Sequence, residues 1–314
     1  MNRKKTNLVI KTLVSAIAIP SAINFLIYRN AKNKSSKPET KYYNWKYGKV
    51  SYCVKGEGNP LLLIHSIGNG HNSFEWNKNA DVLSKYYEVY TLDLIGFGNS
   101  DKPNMDYTAY LYSQLILDFI IDVIKSPANI IANSMSAAFT VMAYNLSDKY
   151  FKKMMLIAPC GIGDTNTSSD KKDSIRRIFT SLPLIGTSFF NYISSKKNLK
   201  KYLKENIFFD ESYITDDVLD KYYCAAHNPN SKYPMASFFN NYMNINIENA
   251  VSKVDIPLYV IWGKNSVISP LSNLERIKEL NPNIEYAIFD QTRLLPNMEN
   301  AREFNNICID FFEA

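Results

Sequence analysis

Short apolar runs alternate with longer amphipathic stretches from residue 42 onward, and this alternation predicts a mostly parallel β-sheet flanked by helices. The expected strands are an opening hairpin over 42–56 and six runs at 61–65, 87–93, 129–132, 154–158, 258–262 and 285–290. Four of these runs are almost continuously apolar, which is typical of strands buried on both faces. The pattern therefore indicates an α/β fold with an eight-stranded sheet.

The alternation stops between about residues 164 and 250, where the apolar positions recur with helical spacing. This stretch follows the sixth strand and precedes the seventh. We therefore expect a core formed by 42–163 and 251–314, with a helical cap formed by 164–250.

The N-terminal segment has a different pattern, because residues 12–28 contain no charged side chain and basic residues lie on both sides of them. A helix extended back to residue 8 would approach the length needed to span a bilayer, although Pro20 and Asn24 weaken it. We expect residues 1–28 to be an uncleaved single-pass membrane anchor and 29–41 to be a polar tether. The alternatives are a cleaved signal peptide, which would make the protein secreted, and a peripheral or buried helix.

The charge distribution agrees with a membrane partner and not with nucleic acid. The whole chain carries a net charge of +6, yet residues 1–49 hold eleven Lys and Arg against the single acid Glu39. The remaining residues carry 25 basic and 29 acidic side chains. Because a nucleic-acid-binding domain would carry its positive charge on the folded part, the arm is expected to contact an anionic membrane through residues 8–28.

Four segments of the core carry a recognisable set of motifs in a fixed order. They read LLLIHSIG, LDLIGFGNSDKP, IANSMSAA, and VIWGKNSVISP together with LLPNMEN. In this order they resemble the cap-bearing α/β-hydrolase superfamily over roughly residues 43–314. The resemblance implies a nucleophilic serine on a sharp turn between a strand and a helix, with an acid and a histidine base supplied by later loops.

The resemblance places the nucleophile at Ser134 and the oxyanion-hole donors at the backbone N–H groups of Met135 and Ile67. Ala132 and Ser136 stand where the family usually has glycine, and both are small enough for such a turn. Ser66 also stands where the family has glycine.

The two partners of the nucleophile are missing. The family's acid falls on Ser266 and its catalytic histidine falls on Leu294, and no histidine follows His227 anywhere in the chain. A serine without an adjacent base is a weak nucleophile, and removal of a triad base costs about a millionfold in turnover. The sequence therefore predicts a hydrolase-like protein with a degenerate triad.

Two functions follow from this pattern. In the first, the protein has little or no catalytic activity and uses a capped pocket to bind an apolar small molecule or a protein partner. The second is an active carboxylic-ester hydrolase in which His227 or His65 activates Ser134, whereas His71 is expected to be structural. The cap aromatics expected around the pocket are Phe189, Phe190, Tyr192, Phe208 and Phe239. Neither a cofactor nor a metal is expected, because the cysteines and histidines lack ligand spacing.

Overall fold

The computed structural model describes residues 3–34, 40–163 and 183–313. Its centre is an eight-stranded sheet in the order β1-β2-β4-β3-β5-β6-β7-β8. The strands are β1 Lys41–Trp45, β2 Gly48–Lys55, β3 Asn59–Ile64, β4 Tyr87–Leu92, β5 Ala128–Asn133, β6 Phe151–Ile157, β7 Leu258–Gly263 and β8 Glu285–Phe289. β1 and β2 pair antiparallel with each other, β2 pairs antiparallel with β4, and the remaining pairs are parallel. The predicted α/β fold is confirmed.

Helices cover both faces of the sheet. In the core they are α2 Ala80–Leu83, α3 Ala109–Phe119, α4 Ser134–Leu146, α9 Glu248–Val251, α10 Ser272–Leu280, α11 Pro296–Glu299 and α12 Ala301–Glu313. Strand β3 shows why two faces form, because Leu62 and Ile64 enter one hydrophobic cluster while Leu61 and Leu63 enter the other. A strand that is apolar at every position is thus buried on both sides.

A helical cap follows β6. Its described helices are α5 Pro183–Ile193, α6 Lys196–Tyr202, α7 Asp216–Ala226 and α8 Lys232–Phe239. A single π-helical turn, Leu203–Ile207, continues α6. The predicted cap begins at residue 164, and its first part, 164–182, lies outside the described residues.

The N-terminal segment forms one long helix, α1, Arg3–Lys34, with Pro20 inside it. Residues 29–34, expected as part of a tether, belong to this helix, and 35–39 lie outside the described residues. Among the helices of the described ranges, none combines the length and the apolar character that a bilayer crossing requires. The predicted single-pass anchor is therefore not supported, since the uncharged run is short and polar residues such as Ser21 and Asn24 interrupt it.

Candidate active site

Ser134 lies at the junction of β5 and α4 and has a left-handed backbone, with a φ of +53°. This conformation is costly for a residue other than glycine, so the surrounding structure must hold it in place. Ala132 and Ser136 are fully buried on either side and are small enough for the turn. Ser134 thus has the strained strand-to-helix backbone that a nucleophile elbow requires.

The loop after β3 lies beside this elbow. The Ser136 hydroxyl donates a hydrogen bond to the His65 carbonyl oxygen at 2.6 Å, which ties the first turn of α4 to the end of β3. Ile67, two residues further along, is 5% exposed, and Met135 is half-buried in the same first turn. The two residues expected to supply the oxyanion hole therefore lie in adjoining segments.

The hydroxyl of Ser134 pairs with a thiol. Its Oγ lies 3.3 Å from Cys160 Sγ, and the Cys160 backbone N–H donates to the Ser134 carbonyl oxygen at 3.3 Å. Burial raises the pKa of the Cys160 thiol, although its hydrogen bond with Ser134 acts in the opposite direction. A thiol that stays protonated at neutral pH cannot accept the serine proton.

Backbone hydrogen bonds occupy both ring nitrogens of His65. Its Nε2 accepts a hydrogen bond from the Leu94 backbone N–H at 3.1 Å, so its proton lies on Nδ1, which donates to the Ser66 carbonyl oxygen at 2.6 Å. Burial lowers the pKa of this imidazole and keeps it neutral. The structure therefore gives no support to His65 as the surrogate base.

His227 ends the cap helix α7. Its Nδ1 lies 2.8 Å from the Tyr223 carbonyl oxygen, to which it donates, and its ring packs on that of Tyr223 with centroids 4.1 Å apart. Burial lowers its pKa as well. These contacts, with a hydrogen bond to the backbone of Asn191 in α5, hold the imidazole within the cap, and no described contact joins it to Ser134.

The two positions expected to correspond to the family's acid and base hold a neutral serine and a leucine. Leu294 is 1% exposed, and its backbone N–H donates to the Ile207 carbonyl oxygen of the cap at 3.2 Å. The Ser266 hydroxyl is buried and, within the described parts of the chain, has no hydrogen-bond partner. Neither side chain carries the negative charge that would stabilise an imidazolium, and Leu294 cannot accept a proton.

A buried acid–base cluster next to the elbow was missed by sequence reasoning. Glu75 Oε1 accepts from His71 Nδ1 at 2.5 Å and from Ser66 Oγ at 2.7 Å. Glu75 Oε2 accepts from the Ser66 backbone N–H and from Asn133 Nδ2, both at 2.9 Å. One carboxylate thus holds both the loop after β3 and the residue that precedes Ser134.

The same cluster reaches the cap. His71 Nε2 lies 2.9 Å from the hydroxyl of Tyr202, the last residue of α6. Burial would raise the pKa of Glu75, but the charge and hydrogen bond of His71 hold it at about 2. Burial and the charge of Glu75 raise the pKa of Tyr202, so its hydroxyl stays protonated. The Tyr202 hydroxyl, the His71 imidazole and the Glu75 carboxylate therefore form one continuous chain of hydrogen bonds.

One signal for this cluster was present in the sequence. His71 and Glu75 are four residues apart, a spacing that brings two side chains together on a helical turn. Glu75 lies in the short 3-10 helix Ser73–Trp76, and His71 precedes its N-cap Asn72. The serine at position 66 is explained by the same contact, because its hydroxyl bonds to the carboxylate.

The expected aromatic lining is only partly internal. Phe190 and Phe208 are buried in the main hydrophobic cluster, and Phe239 packs against it. Tyr192 is 70% exposed, so its expected place in a closed pocket is wrong. Over the described ranges no group of three His, Cys, Asp or Glu side chains could hold a metal ion.

Comparison with known proteins agrees with this geometry. The sequence model of the alpha/beta hydrolase fold family matches residues 59–300. Lipase 3 of Moraxella sp. (strain TA144) is 27% identical over 255 residues, which cover 79% of this chain and 76% of that protein.

Two solved structures show the same fold. A serine hydrolase involved in carbazole degradation has a TM-score of 0.73 at 20% identity, over 87% of this chain and 98% of its own. A membrane phospholipase A has a TM-score of 0.69 at 20% identity, over 100% of this chain and 98% of its own. Since the family match extends over most of the sequence and these folds coincide, the chain belongs to the α/β-hydrolase family.

Proposed function

We propose that this protein is a capped α/β-hydrolase whose serine site binds an apolar ligand and has lost Ser–His–acid catalysis. The observation that carries the proposal is that Ser134 Oγ bonds to the Cys160 thiol, whereas the serine of a working site bonds to an imidazole. Leu294 at the expected base position supports the proposal, because its buried hydrocarbon side chain cannot accept a proton.

The ligand class follows from what the site retains. Backbone N–H groups of Met135 and Ile67 would bind a carbonyl oxygen, because backbone donors are unaffected by the loss of the triad side chains. The buried apolar cap side chains, such as Phe190 and Phe208, favour an alkyl or acyl chain. An ester or ketone with a medium-length chain would use both features, and a protein partner that presents such a group is the second possibility. Because the cavity between the core loops and the cap holds only about 10 Å³, the cap would have to shift to admit either ligand.

The binding test uses methyl decanoate with the full-length protein. We expect saturable binding and recovery of the ester intact, measured by calorimetry and mass spectrometry. Ser134→Ala should bind equally well, because the serine is not consumed, whereas Cys160→Phe should block binding by filling the space beside it. The absence of saturable binding by the native protein would overturn the proposal.

A second candidate function is favoured by the His71–Glu75 pair. If the cap moved Tyr202 away from His71 Nε2, and His71 were neutral with its proton on Nδ1 toward Glu75, Nε2 could accept the Ser134 proton once the loop brought the two side chains together. Tyr202→Phe would then raise the Ser134-dependent hydrolysis of a p-nitrophenyl ester, and His71→Asn would abolish it. Equal, serine-independent rates in both variants would exclude this candidate.

We also infer that the protein works at a membrane, through residues 8–28. The support for this is the basic arm of residues 1–49 and the fold likeness to a membrane phospholipase A, which extends over the whole chain. Flotation of the full-length protein with anionic vesicles tests the inference, and an unbound protein would contradict it.

A further inference from the structure

Helix α1 exposes large apolar side chains along one face. Ile19, Phe25 and Leu26 are 59%, 59% and 58% exposed, and the small residues Ala18 and Ala22 between them are exposed as well. At 100° per residue these five positions fall on one side of the helix. A soluble surface rarely carries such a continuous apolar strip.

The opposite face of α1 packs on the cap. The half-buried or buried residues are Pro20, Asn24, Ile27, Tyr28 and Ala31, which recur with helical spacing. They face α5 and α7, with which α1 is in contact.

Asn24 fixes this contact with polar bonds. Its Nδ2 donates to Ser188 Oγ at 3.1 Å, and Asn191 Nδ2 donates to Asn24 Oδ1 at 2.8 Å. The axis of α1 therefore runs along the body of the protein from residue 20 to residue 31, and its apolar strip points away from it.

Basic residues mark both ends of the strip. Arg29 and Lys32 are exposed on its C-terminal side, and Arg3, Lys4, Lys5 and Lys11 precede it in the sequence. Long basic side chains at the two ends of an apolar helix place both ends at the level of anionic head groups. A helix packed lengthwise on a folded domain can meet that condition only by lying flat on the bilayer.

We propose that α1 lies in the plane of an anionic membrane surface, with Ala18, Ile19, Ala22, Phe25 and Leu26 in the acyl layer. Arg29 and Lys32 contact lipid phosphates, and the cap is thereby held next to the bilayer. This rests on the membrane association proposed above and specifies its geometry. Such interfacial helices insert about 5–10 Å below the head groups.

The first experiment compares partitioning of full-length variants into phosphatidylcholine vesicles with and without phosphatidylglycerol. We expect Phe25→Ser with Leu26→Ser to weaken partitioning by at least about tenfold, because two buried apolar side chains are lost. Tyr110→Ser is the matched control, since Tyr110 is 65% exposed on the core helix α3, and it should partition like the native protein. Arg29→Gln with Lys32→Gln should reduce only the dependence on phosphatidylglycerol.

The second experiment measures depth by quenching with brominated lipids. Tryptophan placed at Ala18 and at Leu26 should report the same shallow depth, whereas a helix crossing the bilayer would separate these positions by about 12 Å.

Three results would overturn the flat orientation of α1. The two tryptophan positions could lie at different depths, or Phe25→Ser with Leu26→Ser could leave vesicle partitioning unchanged. The protein could also be a dimer in solution that these serine substitutions dissociate without altering vesicle binding. Failure of the native protein to bind either vesicle would instead refute the membrane association itself. None of these results affects the test of methyl decanoate binding at Ser134, because that binding is measured without lipid.

Discussion

Ser134 Oγ and Cys160 Sγ lie 3.3 Å apart at the carboxyl end of the sheet, so the serine hydroxyl bonds to a thiol and not to the imidazole that a working hydrolase of this fold provides. Cys160 follows β6 and Ser134 follows β5, and these strands are neighbours. In the described structure the strained elbow contacts a thiol and no imidazole, so stability and reactivity at this site can be tested separately.

The backbone strain at Ser134 predicts an unusual preference for glycine. Because φ is +53° there, Ser134→Gly should be more stable than Ser134→Ala by about 1 kcal/mol. Both variants remove the hydroxyl, so the difference reports the backbone alone. Urea denaturation followed by circular dichroism measures it.

The matched control is Ser136, which lies two residues further into α4. There the order should reverse, with alanine more stable than glycine by up to about 1 kcal/mol, because the backbone is helical. If the alanine variant were the more stable one at position 134 as well, the backbone at Ser134 would not be strained.

Glu75 should be essential for stability. Glu75→Gln removes the charge partner of His71 and one acceptor for the loop after β3, and breaking a buried pair in this way costs about 3–5 kcal/mol. As a control, Asp81→Asn breaks the exposed Lys55–Asp81 pair and should cost about 1 kcal/mol or less. Chemical denaturation at neutral pH gives both values.

The same residue predicts an acid transition. The pKa of Glu75 is lowered from 4.5 to about 2, so its stabilising contribution is complete above pH 4.5 and is lost as the pH falls toward 2. The free energy of unfolding of the native protein should therefore fall more steeply in this window than that of Glu75→Gln. Parallel curves would show that Glu75 is not held as a carboxylate.

The positions of Ser266 and Leu294 can be tested as a pair. Ser266→Asp alone should destabilise the protein by about 3 kcal/mol or more, because it buries an unpaired carboxylate at a site that is 8% exposed. Adding Leu294→His should recover much of this loss if the two side chains face each other as acid and base. A double-mutant cycle on unfolding free energies measures the coupling.

The neighbouring buried leucine provides the control for that cycle. Leu295 is fully buried, and Leu295→His should show no favourable coupling with Ser266→Asp. Equal coupling at 294 and 295, or none at 294, would mean that the scaffold no longer brings the triad positions together.

Much of the fold could be predicted from local patterns, and the site only in part. The strand β3 and the elbow at Ser134 follow from short motifs, and the structure shows both where they were expected. The link from Glu75 to Asn133 spans 58 residues, and the link from His71 to Tyr202 joins core and cap over 131 residues. Such contacts depend on tertiary packing, which hydrophobic periodicity does not encode.

The N-terminal helix shows a second limit of prediction from the sequence. The run of apolar residues before Arg29 indicated a helix but not what the helix touches. The bonds of Asn24 to α5 show that a polar residue which weakens a membrane span is used to dock the helix on the cap.

The most direct test of lost triad catalysis is hydrolysis of a short-chain p-nitrophenyl ester by the full-length protein and by Ser134→Ala, measured side by side. We predict equal rates, both close to the background of the ester in buffer, because no imidazole contacts Ser134 in the described structure. A clear rate in the native protein that disappears in Ser134→Ala would contradict the loss of catalysis, and substitution of each of the three histidines would then identify the base.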